Sequence, residues 1–327
     1  MAGRATPAWR SPSLAITLGI SSCLLGEKVR YDGGDKKDGF VTGVLGRHFT
    51  WVSVCPEMEI GLGTPRETLR LVGDPGAPRL VEPRTGADRT EQMNAYARRR
   101  ARDLARAGLS GYVLKRASPS CGMERVRVYT EGGRPGRLGR GLFARALMDT
   151  SPLLPVEEEG RLDDPARRDS FITRVFSYRR LTALADSDPR PGDVAAFHAA
   201  HTSLLLSHSP AHHARLGRLV AAAEGAPRAR WLAEYSEAFM AALAVPATPR
   251  KHVDVLRHIL GVFTDRLGSD DRRELLGLIE AFGRGLVPLV VPITLINHHV
   301  RRLGVASVAE QIYPSPHPTE LMLRYHI

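Results

Sequence analysis

The stretch LAITLGISSC, residues 14–23, decides the fold. Its first seven residues carry no alternating polar face, so Leu14–Ile20 predicts a strand covered on both sides, as in a parallel sheet. Two further short runs, WVSV at Trp51–Val54 and YVL at Tyr112–Leu114, predict strands of the same kind. Between them, Leu69–Val72 and Leu80–Val81 flank GDPGAP, the signature of a hairpin. A helix is expected from Thr90 to the glycine at 108, with Thr90 as its cap. Strands alternating with a long helix predict an α/β domain with a largely parallel sheet and flanking helices.

Beyond Tyr178 the pattern changes. Val194–Leu206, Ala214–Ala223, Trp231–Ala244, Lys251–Leu267, Asp270–Arg284 and Pro292–Leu303 predict helices separated by Pro or Gly. The expected organisation is a disordered tail over residues 1–12, an α/β domain over 13–178, and an all-α domain over 179–327. The polar stretch VEEEGRLDDPARRD then serves as the connector.

At 327 residues, two domains are the natural expectation. No apolar run approaches the ~18 residues needed to span a bilayer. The segment MAGRATPAWRSP lacks the apolar centre of a secretory signal. These features predict a cytoplasmic, reducing location, where a cysteine is more often a ligand, a nucleophile or filler than half of a disulfide. The net charge of +11 fits a polyanionic partner. Only 5 of the 46 basic residues are lysine, so the arginine usage of a GC-rich genome explains the same charge. Most of the excess lies before Arg179, +8 against +3 from Arg179 onward. Arg98, Arg99, Arg100 and Arg102 spread over too wide an arc to share one face of their helix.

The chain has three cysteines, and each follows a predicted strand: Cys23 after LGISS, Cys55 after WVSV, and Cys121 after YVLKRASPS. Loops at the carboxyl ends of strands are where open α/β sheets build ligand sites. A buried cysteine is also a small hydrophobe, and that reading competes for each one singly. Zinc prefers four closed ligands, usually in CxxC pairs, and no such pair is present. A cubane iron–sulfur cluster usually takes four thiolates, so three would leave one iron open. An open iron is a Lewis acid suited to soft sulfur.

The blocks ISSCLLGEKVRYDGG, VCPEMEIGLGTPRE, LKRASPSCG and LPVEEEGRLDDP, in that order between about Ala15 and Phe176, resemble the thiouracil desulfidase family. ATPRKHVDVLRHILGVF, GLVPLVVPITLINHHVRR and ELMLRYH resemble a YbgA-type helical domain. The resemblance implies that Cys23, Cys55 and Cys121 hold a 4Fe–4S cluster whose free iron captures the sulfur of a thiolated pyrimidine. Members that fuse both domains are implied to desulfurise 4-thiouridine in tRNA, the helical domain helping to grip the RNA. Glu57 matches the glutamate of the family's Cys-Pro-Glu motif, and Ser118 the serine that opens Ser-Pro-Ser-Cys.

The chemistry expected is hydrolytic and non-redox, giving uridine and hydrogen sulfide. Glu57 acts as general acid or base, or else is a helix-start carboxylate after Pro56. Ser118 orients the pyrimidine, or ends its strand in a turn. Arg66 and Glu67 contact substrate or fix their loop. Arg250, Lys251, His252 and Arg257 form a basic helix start suited to an RNA phosphate. The histidines at 198, 201, 208, 212 and 213 lack a thiol or carboxylate partner and are expected to pack. Three other readings remain open: a free thiouracil desulfidase, a persulfide sulfurtransferase, and a non-catalytic RNA-binding protein with core cysteines.

Overall fold

Strand β1 (Thr17–Ser21) is buried at every position but Thr17, as its unbroken apolar run requires. The computed structural model describes residues 7–10, 16–224, 227–321 and 323–324. After β1 come α1 (Gly39–Gly43), β2 (Thr50–Val54), α2 (Pro56–Glu59), β3 (Arg70–Val72) and β4 (Arg79–Val81). Then follow α3 (Thr90–Arg106), β5 (Gly111–Leu114), β6 (Val126–Tyr129), β7 (Pro135–Gly139), α4 (Leu142–Thr150) and β8 (Val156–Glu158).

These strands make two sheets. The first has the order β2-β1-β5-β8 and is parallel throughout. The chain goes from β1 to one side and returns to the other, so the winding reverses at β1. The second sheet, β4-β3-β6-β7, joins two antiparallel hairpins through a parallel β3–β6 pair. The α/β architecture with a parallel sheet is therefore present, and the Leu69–Val81 hairpin sits in a second, mixed sheet. On α3 the buried Met93, Tyr96, Ala97, Ala101 and Leu104 form a stripe at helical spacing. Tyr96 meets Phe143 of α4, and Phe143 meets Tyr112 of β5. Thr90 does not cap α3: Arg89 holds the cap position, and the Thr90 hydroxyl instead accepts from the Leu80 N–H at 2.8 Å.

The remaining elements are helical: α5 (Pro165–Asp186), α6 (Pro191–His208), α7 (Pro210–Ala221), α8 (Arg228–Ala244), α9 (Pro249–Phe263), α10 (Ser269–Gly283), α11 (Val290–Leu303) and α12 (Ala306–Ala309). All six helices expected here form. Proline at the first turn of α6, α7 and α9 lacks only an N–H that the helix leaves unpaired anyway. Their aromatic core includes Phe197, Tyr235 and Phe239. No helix is long and apolar enough to cross a membrane among the described residues.

Residues 13–167 form one compact unit, and residues 1–12 with 168–327 the other. A division near Arg179 would cut α5, which runs unbroken through that point. Pro165 opens the helix at a position proline favours, so the last residues of the expected connector are already helical. Most of the tail over residues 1–12 lies outside the described residues. Its described part forms a short 3-10 turn, and Trp9 is buried against Phe197 and His201.

Candidate functional site: three thiols at the edge of the parallel sheet

The carboxyl ends of β1, β2 and β5 lie side by side where the winding reverses, the position at which doubly wound sheets form ligand crevices. Cys23 sits in the 3-10 turn that leaves β1. Cys55 directly follows β2 and holds the N-cap position of the one-turn helix α2. Cys121 arrives seven residues after β5, on the loop ASPSC. All three line one cavity of about 360 Å³, within the size range of small-molecule sites.

The Cys121 loop is held from several sides. The Ser118 hydroxyl oxygen accepts from the backbone N–H of Cys121 at 3.0 Å and of Ser120 at 3.2 Å. Ala117, before it, takes the left-handed conformation at φ 60°, which costs a non-glycine residue energy and recurs at functional sites. A Cβ on Gly122 would lie 2.7 Å from the Ser118 carbonyl oxygen and 2.3 Å from a Val126 methyl carbon, so the loop closes only over glycine. Beyond the loop, the Glu158 carboxylate accepts from the Met123 N–H at 2.9 Å.

Glu57 faces the same cavity, and both its oxygens are engaged. One accepts from the Ser120 hydroxyl at 2.9 Å, the other from Arg66 through Nε at 2.9 Å and Nη2 at 2.6 Å. Arg66 is anchored in turn by the Gly63 carbonyl at 2.7 Å. Arg66 therefore fixes a carboxylate, whereas Glu67 accepts from the Arg84 N–H and pairs with its side chain at 3.6 Å, outside the cavity lining. Arg30, Lys36, Lys115 and Arg116 add positive charge to the wall. Lys115 is steadied by an ion pair with Glu159, which also accepts from the Arg116 N–H at 2.7 Å.

Burial pushes the Cys23 thiol up to about 11, with the Lys115 ammonium pulling the other way. Burial also raises Cys55, opposed by the N–H groups of Met58 and Glu57. It drives Cys121 well above the ordinary thiol value, opposed by a hydrogen bond from Ser21. Bare, the trio favours protonated thiols; a cationic metal group would supply the charge that holds thiolates there. No three His, Cys, Asp or Glu side chains converge as ligands of a single ion among the described residues. Three soft thiol donors lining one cavity are a donor set whose chemistry fits an iron–sulfur cluster.

Sequence reasoning singled out the cysteines, Glu57 and Ser118, and one cavity gathers them. It missed Ser120, Lys115 and Glu159, although LKRASPSC and LPVEEEG contain them; nothing in spacing alone says that β5 and β8 are neighbours. The basic helix start is less uniform than expected. Arg250 and Arg257 are exposed, but Lys251 Nζ donates to the carbonyls of His208 (2.6 Å) and Pro246 (2.9 Å). His252 is buried, with Nδ1 2.9 Å from the Tyr313 hydroxyl. The histidines at 201 and 208 pack in the core, and Nδ1 of each lies 2.7 Å from a backbone carbonyl.

Thiols delivered from adjacent parallel strands to a cationic cavity define an α/β domain with a candidate ligand site, followed in the chain by a helical one. Residues 18–159 match the family described as 2-thiouracil desulfurase, and the chain belongs to that family. Residues 203–318 match a second family, described as Protein of unknown function (DUF1722). YbgA of Escherichia coli (strain K12), described as uncharacterized, is 28% identical over 163 residues, 48% of this chain and 94% of its own. YbbK of Bacillus subtilis (strain 168), also uncharacterized, is 33% identical over 111 residues, 32% of this chain and 71% of its own. Among solved structures, a [4Fe-4S]-dependent thiouracil desulfidase, TudS, is 29% identical over 45% of this chain and 93% of its own, with a TM-score of 0.36.

Proposed function

We propose that the protein is an iron–sulfur-dependent desulfidase that hydrolyses the thiocarbonyl of a thiolated pyrimidine, releasing hydrogen sulfide. The observation that carries this reading is the meeting of three separate thiols on one cationic cavity, in a chain of the 2-thiouracil desulfurase family. Cys23, Cys55 and Cys121 would hold the cluster. When bound through three thiolates, it supplies an open iron, a Lewis acid that favours soft sulfur.

The protein's own groups do the rest. Glu57, oriented by Arg66 and Ser120, accepts a proton from the attacking water. Water oxygen bonds to the ring carbon and the carbon–sulfur bond breaks, so the carbon becomes a carbonyl; both water protons, one of them returned by Glu57, leave on the sulfur as hydrogen sulfide. No electron is gained or lost overall. Arg30, Lys36, Lys115 and Arg116 offset the negative charge that grows on sulfur. The Ser118 oxygen is committed as acceptor to two N–H groups, which leaves its O–H to orient the pyrimidine.

We infer further that the base belongs to RNA, most specifically 4-thiouridine in tRNA. The net charge of +11 and the attached second unit support a polyanionic substrate. A base in RNA must leave its stack to enter a cavity at the sheet edge. The test is anaerobic purification of the full chain, with a visible spectrum, an iron and sulfide count, and turnover of free 2-thiouracil beside thiolated tRNA. Roughly four irons and four sulfides per chain are expected, with the higher kcat/KM on tRNA. Colourless protein that still releases sulfide would end the cluster reading. A preference for the free base would end the tRNA reading alone.

A further inference from the structure

Several surface arginines of the α/β unit are ion-paired: Arg79 with Asp88 and Glu131, Arg89 with Glu82, Arg100 with Glu59, Arg106 with Asp103. Exposed Arg98, Arg99 and Arg102 on α3 have no such partner among the described residues, and the β6–β7 hairpin gathers a larger group of the same kind. Between residues 124 and 140 it carries Arg125, Arg127, Arg134, Arg137 and Arg140, all exposed. Its two acids are taken from outside, Glu124 by Arg161 and Glu131 by Arg79. None of the five arginines is ion-paired among the described residues.

The hairpin is also an edge. Among the described residues β7 pairs only with β6, and Arg127 stands across from Leu138 on the solvent face while Val126 and Val128 point inward. Beside it the Arg70 guanidinium lies over the Tyr129 ring at 4.9 Å. Exposed cations interleaved with an aromatic are the surface that follows a nucleic-acid backbone. The chain from Cys121 to Arg125 is four residues long, so their Cα atoms are at most about 14 Å apart. A strand held by the hairpin therefore lies within reach of the thiol cavity.

We propose that the β6–β7 hairpin binds the phosphodiester backbone of the RNA whose thiolated base enters the cavity; this rests on the reading that the base is part of an RNA. Arg127, Arg134, Arg137 and Arg140 neutralise phosphates, and Tyr129 offers a face to a neighbouring base. The alternative is that arginines and Pro135 merely guard an edge strand against pairing.

The experiment compares the full-length parent with R134S/R137S/R140S and with R98S/R99S/R102S, which removes the same charge from α3. The probe is an unmodified tRNA transcript, titrated over a salt series. The hairpin variant is expected to lose about tenfold or more in affinity. Its plot of log K against log salt should shallow by about 2, at ~0.7 to 0.9 per phosphate contact. The α3 variant should keep the parent's slope, and R134K/R137K/R140K should keep its affinity. Equal weakening by both serine variants, no weakening by either, or loss in the lysine variant would overturn the proposal. A parent that turns over free 2-thiouracil yet ignores tRNA also overturns it and leaves the desulfidase reading intact. A parent that binds tRNA through the hairpin but releases no sulfide keeps it and removes that reading.

Discussion

The two units treat ionisable side chains in opposite ways. The α/β unit brings three thiols, a carboxylate and several cations to the rim of a sheet, around an open cavity. The helical unit sinks its distinctive groups among helices. His201 is fully buried, and Asp169 is closed over by His317 at 2.8 Å with Arg324 behind it at 3.9 Å. The first arrangement leaves lone pairs facing space that a ligand can fill. The second closes them in among neighbours, away from any space a ligand could fill. Titratable residues in a core mark how a unit is tied together; the same types at a strand edge mark what it can do.

The contrast breaks most visibly at the cysteines. Serine at any one of positions 23, 55 or 121 should abolish both visible colour and sulfide release, because each thiolate is expected to hold its own iron. A persulfide mechanism would instead spare two of the three, so retained turnover in any single variant decides against the cluster. The next largest effect is expected at Glu57. Glu57→Gln keeps the shape and the neighbours Ser120 and Arg66 but removes the base. It should lower kcat by about 10² to 10⁴-fold while iron content stays at the parent value. If iron is lost along with activity, Glu57 holds the cavity wall and does not act on water.

The division was legible in outline. Apolar runs gave away β1, β2 and β5 because strands covered on both faces need little else, and the glycine- and proline-bounded helices were equally plain. What stayed hidden depends on partners far along the chain. β8 ends in two glutamates and reads as polar connector, yet Glu157 and Glu158 are buried. Arg161 reaches Glu157 at 2.8 Å, and backbone N–H groups satisfy Glu158. β7, with the sequence PGRLG, has no apolar face to detect; it forms because β6 supplies a ladder. The cysteine trio was visible as three strand ends, but Ser120 entered the site only through its bond to Glu57, 63 positions away.

Acid sharpens the comparison from the helical side. Burial depresses His201 to about 3 and His208 to about 4, against an ordinary 6.5. Neighbouring cations add to this, Arg180 and Arg10 at His201, Arg324 and Lys251 at His208, while the Phe197 and Val245 carbonyls and Asp169 oppose it. The folded state favours neutral rings, so the unfolded chain binds more protons between those values and 6.5. Stability should be complete above about pH 6.5 and fall as pH drops toward 4, by on the order of 3 kcal/mol for each of these two buried rings. Asp169, held below the ordinary carboxylate range by its His317 hydrogen bond against the opposing effect of burial, changes stability in the same direction at lower pH. Thermal melts of the full chain from pH 7.5 to 4.5 test this through the helical far-ultraviolet signal. A flat melting temperature across that window would mean that the rings are hydrated and the packing is looser than described.

The smallest expected effect separates holding from acting at one atom. Ser118→Ala removes the acceptor for the N–H groups of Ser120 and Cys121 and, with it, the O–H of a residue that lines the cavity. If the residue is only a turn former, the loss is roughly 1 to 2 kcal/mol of stability, with KM for 2-thiouracil near the parent value. If the O–H also orients the ring, KM should rise several-fold beyond what the stability change accounts for. Ser118→Thr, which keeps both the acceptor and the proton, should then restore it. Threonine rescue of stability without rescue of KM would assign Ser118 to the scaffold, and the boundary between scaffold and chemistry would then fall between Ser118 and Cys121.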